Sequence, residues 1–355
     1  MTINEAAIDR KNNLNIIRLI ASLMVVYMHS FAICIADQSK DVFYTLTNHK
    51  ALAGGIAVYI FFIISGFLIC RSFDRSKNLF SYFKARFLRI WPLLFVVVMI
   101  TAFILGPIIT HYPTEEYFNG DITGFLRNIY FDSSNTTLPG VYPDHYNHSL
   151  NGSLWTLMYE VLWYVIVAVL APLWKRFKPT GLILYIGLTI TYLFFTYYDG
   201  AFIVFLPHSF ILNFTRLGMF FAMGMCYYIY GNAIKLSVKL FLMAVLSLIL
   251  GILFTDFIVT FSIFGAYIIF YIAFQKRFVA NWYDKIGDLS YGIYIMSFPI
   301  QQTLVDYLGK PTEYYHTMSM NPYKNMLITV LIVVPLAWIS WHCIEKPCLK
   351  LKEKA

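Results

Sequence analysis

Apolar and polar positions alternate along the chain in long blocks rather than short periods. Stretches of about 17–23 mostly apolar residues recur near 14–36, 51–70, 90–110, 153–173, 180–198, 209–230, 240–256, 258–275, 286–308 and 323–344. Each is long enough, as a helix, to cross roughly 30 Å of hydrocarbon. Only helices and closed barrels satisfy their backbone in lipid, and runs of this length predict helices. The expected fold is therefore an all-α, polytopic membrane helical bundle of about ten transmembrane helices in a single integral domain, 1–355. The least defined division separates the seventh and eighth spans, where LILGILFTDFIVTFSIF offers only Thr255 and Asp256 as a turn.

Composition agrees with the pattern. The 355 residues are 59% hydrophobic and 13% charged, about half the charged share of soluble domains. The N-terminal MTINEAAIDRKNN is polar and the apolar stretch behind it is long enough to span, so no cleavable signal peptide is expected. The five cysteines form neither a metal-type CxxC pattern nor a disulfide framework, which leaves apolar packing for most of them.

The net charge of +8 would suit nucleic acid if it were spread over one face, but its distribution follows the spans. One alternating set of connections, including both terminal tails, carries 20 of the 27 Lys and Arg; the opposite set carries four. Basic connections stay on the cytoplasmic side, so both termini are expected there, in the cell (inner or plasma) membrane, with lipids rather than nucleic acid as surroundings. The long opposite loop, 111–152, is acidic and rich in Tyr, Asn, Ser and Pro.

Candidate chemistry lies where charge interrupts the spans. Arg18 and His29 are eleven residues apart in the first. Eleven steps of 100° return to within about 20° of the starting direction, so both lie on one stripe, roughly 16 Å apart. The fourth span holds Trp155 and Glu160, the latter about two turns from its outer end and close in depth to His29; an imidazole and a carboxylate at one depth can pair. Arg86 and Arg89 lie three apart on an amphipathic helix entering the third span, within the most basic loop, and guanidinium forks bind phosphate oxygens.

Structural explanations stand beside each of these. Arg18 fits a snorkelling arginine, His29 an interhelical packing contact, and Glu160 a carboxylate satisfied by a tyrosine or by Arg216. The basic loop fits positive-inside topology alone. Arg216, in the sixth span, suits a counter-charge or a ligand anchor. His145 and His148 form an HxxH spacing with no cysteine beside it; a solvated loop explains it better than a metal, and no metal site is expected.

Taken in order, these features resemble the acyltransferase 3 family of integral membrane acyltransferases over nearly the whole chain. The resemblance rests on Arg18 and His29; on GGIAVYIFFIISGFLI with Ser65, Gly66 and Phe67; and on Arg86, Arg89, Trp91 and Pro92. It continues with Trp155 and Glu160; Ser290, Tyr291 and Tyr294; and Glu345, Lys346 and Pro347. Many relatives carry a histidine where this chain has Ser297, so that histidine's role does not transfer. Some also fuse an esterase-like domain behind the membrane part, whereas about ten residues follow the last span here. Transfer is then expected to finish in this domain or in a separate protein.

The resemblance implies an O-acetyltransferase that takes an acyl group, acetyl by preference, from cytoplasmic acyl-CoA. The acceptor would be a hydroxyl of a cell-surface polysaccharide, O-antigen or lipid-linked glycan precursor. Acetyl-CoA is the donor substrate, and no permanently bound cofactor is expected. His29 is the expected base, with Glu160 as its carboxylate partner. Arg18, Arg86 and Arg89 would hold the donor, with Ser65, Trp155, Arg216, Tyr294 and Glu345 in support. Acceptor contacts are expected from loop 111–152 and from the tyrosines of 309–322. A transporter or exporter whose buried charges line a path is the alternative; no inverted repeat of broken spans supports it.

Overall fold

A computed structural model describes residues 1–8, 12–198, 206–275, 281–312 and 317–352. Ten long helices coincide with the ten apolar blocks: α1 (Leu14–Cys34), α2 (Ala53–Arg75), α3 (Leu79–Ile109), α4 (Trp155–Arg176), α5 (Thr180–Tyr197), α6 (His208–Ile229), α7 (Val238–Phe254), α8 (Phe257–Ala273), α9 (Ser290–Leu308) and α10 (Pro322–Lys350). The all-α membrane bundle is thereby borne out. The only strands among the described residues are the paired dipeptides Lys310–Pro311 and Met318–Ser319.

Seven of the ten are long and apolar enough to cross a membrane. Of the others, α7 and α8 are shorter apolar helices, and α9 carries Ser297, Gln301 and Gln302 along its length. The narrow division between α7 and α8 falls where Thr255 and Asp256 stand. The Asp256 carboxylate accepts from the Val259 amide at 3.0 Å and caps the new helix. The third helix departs from expectation: it begins at Leu79, so the basic segment with Arg86 and Arg89 is the first part of the spanning helix itself. Asn78 caps it by accepting from the Ser81 amide at 2.8 Å.

The stripe-bearing α1 packs against α2, α9 and α10, and α2 packs in turn against α6. The α2–α6 contact brings backbone to backbone. A Cβ on Gly66 would stand 2.0 Å from the Phe221 carbonyl oxygen, and one on Gly224 2.0 Å from that of Ile63. Small residues of this kind let membrane helices approach closely without a hydrophobic driving force. The half of α1 nearer Cys34 is tied by buried polar groups instead. The Gln301 amide donates to Val26 O at 2.8 Å and to Ser30 Oγ at 2.7 Å, and Asn325 Nδ2 donates to Gln301 O at 3.0 Å, joining α1, α9 and α10.

The two termini share one end of the bundle, where Asn12 and Lys352 line a common cleft and the Leu236 amide donates to Met1 O at 3.0 Å. Loop 111–152 lies at the opposite end. It is not all solvated, contrary to expectation: His145 is 3% exposed. Its Nδ1 is 2.8 Å from Gln302 Oε1, its Nε2 is 3.4 Å from Asp306, and its ring stacks on Tyr142. Tyr314 and Tyr315 of the 309–322 connection lie outside the described residues.

Candidate active site

Three cavities follow the bundle from the termini end to the opposite end. The first, of about 590 Å³, is lined by Arg71, Arg75, Lys77, Arg86 and Lys352, with Ser72, Ser76 and Ser81 between them and, among the described residues, no acid. Arg86 donates to Ser72 Oγ at 3.2 Å, while its Nε is buried without a hydrogen-bond partner. The second is a small central chamber of about 50 Å³, enclosed by Arg18, Ser65, Thr156, Glu160, Tyr291, Tyr294 and neighbouring apolar groups. The third, about 350 Å³, holds His29, Lys50, Tyr59, Trp155, Arg216 and Tyr294. Val58 and Tyr294 line both the second and the third.

The sequence-derived residues therefore divide among three places. Arg18 and Arg89 converge on one carboxylate oxygen of Asp288, an acid the sequence reading had not singled out. The other oxygen of Asp288 accepts from Ser290 Oγ at 2.5 Å. Arg89 also lies 3.5 Å from Glu345, whose carboxylate accepts from Ser340 Oγ at 3.0 Å, and its guanidinium stacks over Trp341. Two guanidiniums and two carboxylates thus form a closed, charge-balanced cluster. Arg86 is separate from it, one helical turn away in the open cleft.

Glu160 and His29 do not hydrogen-bond to each other. Tyr164, one turn along α4, donates to Glu160 Oε1 at 2.5 Å, and Ser65 donates from α2 at 3.4 Å. Ser65 and Glu160 line the chamber, and the hydroxyl of Tyr294, which walls both cavities, is held by Thr156 at 2.7 Å. His29 faces the third cavity. Its ring meets Phe298 edge-on at 4.9 Å, and its Nδ1 is buried without a hydrogen-bond partner. Arg216 borders the same cavity from α6 and donates to Asn213 Oδ1 at 2.6 Å.

A helical membrane bundle with charge concentrated along its interior, and a cationic cleft at one end, is a polytopic protein whose interior holds the groups of a candidate site. The acyltransferase domain family matches residues 11–344, and the chain belongs to it: this is a membrane acyltransferase. It is 28% identical over 352 residues to the "O-acetyl transferase" of Shigella phage Sf6, covering 95% of this chain and 96% of that protein. It is also 33% identical over 190 residues to "Nodulation protein 10" of Rhizobium leguminosarum bv. viciae, covering 50% of this chain and 49% of that one. No solved structure matches.

Proposed function

We propose that the protein moves an acetyl group from acetyl-CoA, held at the termini end, to a hydroxyl of a cell-surface polysaccharide or lipid-linked glycan precursor. The carrying observation is the placement of unlike chemistry at opposite ends of one bundle. A cleft lined by cations and serines, with no acid among the described residues, stands at one end. A half-buried imidazole whose Nδ1 has no hydrogen-bond partner lines a cavity at the other. The Lys and Arg bias supports a cytoplasmic side for the cleft, where acetyl-CoA is made.

Arg86, with Arg71, Arg75 and Lys77 beside it, takes the nucleotide phosphates through charge-assisted bonds. The thin pantetheine arm leads the thioester past the central chamber to the Tyr294 wall. His29 takes the proton of the acceptor hydroxyl as that oxygen attacks the thioester carbonyl. The C–S bond then breaks, an ester C–O bond has formed, and the imidazolium returns its proton to the departing thiolate. Glu160 acts within the chamber, fixed by Tyr164 and Ser65, rather than as an orienting partner of the imidazole. The name of the phage relative supports transfer of acetyl to oxygen.

His29→Ala at normal expression tests the reading. General-base removal is worth roughly 10²–10⁴ in rate, so glycan O-acetylation in complemented cells should fall to background. Unchanged acetylation would take the histidine out of the mechanism.

A further inference from the structure

The third cavity contains a charge that the bundle leaves unneutralised. Arg216 has one hydrogen bond, to Asn213 at 2.6 Å, and a buried Nε with no partner. It forms no ion pair with a carboxylate among the described residues. Arg18 and Arg89, also within the bundle, share Asp288. Arg216 is partly buried and borders the cavity; a guanidinium at membrane depth without an anion is unfavourable, and such residues mark ligand paths. Lys50 does not change this balance. Its ammonium donates to Ile252 O at 2.6 Å and Thr255 O at 2.8 Å, closing the carboxyl end of α7. Of the two cations lining the third cavity, Arg216 is therefore the one whose guanidinium is held by a single hydrogen bond among the described residues.

The remaining walls suit a sugar. Tyr59, stacked on Phe220, and Trp155 line the cavity with aromatic bodies that carry polar edges, and about 350 Å³ falls in the range of small-ligand sites, roughly 300–1,000 Å³. A planar guanidinium grips carboxylate or phosphate oxygens with two parallel bonds and thereby fixes orientation as well as affinity. We propose that the acceptor carries an anionic group, a carboxylate or a phosphate, and that Arg216 binds it so that a neighbouring hydroxyl lies at His29. This rests on the reading that the third cavity takes the acceptor.

Equilibrium binding to the purified protein, measured by calorimetry without acetyl-CoA, tests the inference independently of turnover. Three probes are compared: octyl glucuronide, a short-chain prenyl diphosphate glucose, and neutral octyl glucoside. The wild type should bind at least one anionic probe ten-fold or more tightly than the neutral one, and the preferred anion identifies the source. Arg216→Gln should abolish that preference while leaving the dissociation constant for acetyl-CoA unchanged, and Arg216→Lys should restore part of it. Equal binding of charged and neutral probes by the wild type, or a preference that survives in Arg216→Gln, overturns the inference. So does a variant that keeps the preference but loses kcat on every acceptor, which would make Arg216 a stabiliser of the reaction's oxyanion. Anion binding with no acetyl transfer to any acceptor would leave this site standing and remove the acetyltransferase reading instead.

Discussion

Arg86 and Arg89 stand one turn apart on the same helix, yet they occupy opposite electrostatic situations. Arg89 is sealed with Arg18 around Asp288 and leans on Glu345 and Trp341, so its charge is balanced inside the protein. Arg86 opens into a cleft whose other charged walls, among the described residues, are Arg71, Arg75, Lys77 and Lys352. Spacing along a helix says which side chains share a face; it does not say which of them already has a partner. In a low-dielectric interior the second question decides function, because a neutralised guanidinium holds helices together and an unneutralised one waits for an anion.

The sharpest way to break this contrast is Asp288→Asn, which removes the anion between two buried guanidiniums. Loss of one member of a buried charge cluster costs about 3–5 kcal/mol. Thermal unfolding in detergent should show a large fall in Tm, and an unchanged Tm would mean that the cluster does not hold the fold. Opening the cleft should act on binding alone. Arg86→Ala removes a hydrogen bond to a charged phosphate, worth about 1.5–3 kcal/mol, so the dissociation constant for acetyl-CoA should rise about ten-fold or more, as read by calorimetry. Tm should stay near that of the parent; equal affinity would return Arg86 to a topological role. The smallest effect belongs to Ser65→Ala, whose bond to Glu160 is long at 3.4 Å. Hydrogen bonds between membrane helices average about 0.6 kcal/mol, so turnover should change by no more than about three-fold. A larger loss would assign Ser65 a part in the chemistry.

Much of the fold was legible because lipid imposes a long apolar period that leaves few alternatives. The stop at Thr255 and Asp256 could be read because Asp256 is a capping residue between two apolar runs. The α1 stripe could be read because helical geometry places Arg18 and His29 without reference to anything else. What escaped depends on partners far away in the chain. Asp288 meets residues 270 and 199 positions earlier, and nothing in GDLSYG announces two arginines. His145 read as loop surface because its cover, Gln302, comes from a helix 157 positions later. The Tyr164–Glu160 bond is an exception. A tyrosine four residues after a glutamate on a helix was visible in the sequence and gave way to the depth match with His29, which relates two helices without fixing their facing.

Reconstituting the purified protein in liposomes bearing a glycan acceptor inside, and adding radiolabelled acetyl-CoA to the side of the arginine cleft, tests the central claim most directly. The account predicts label on the glycan with the parent protein and none with His29→Ala. Glycan that crosses or stays unlabelled while the protein is folded and binds acetyl-CoA would contradict it.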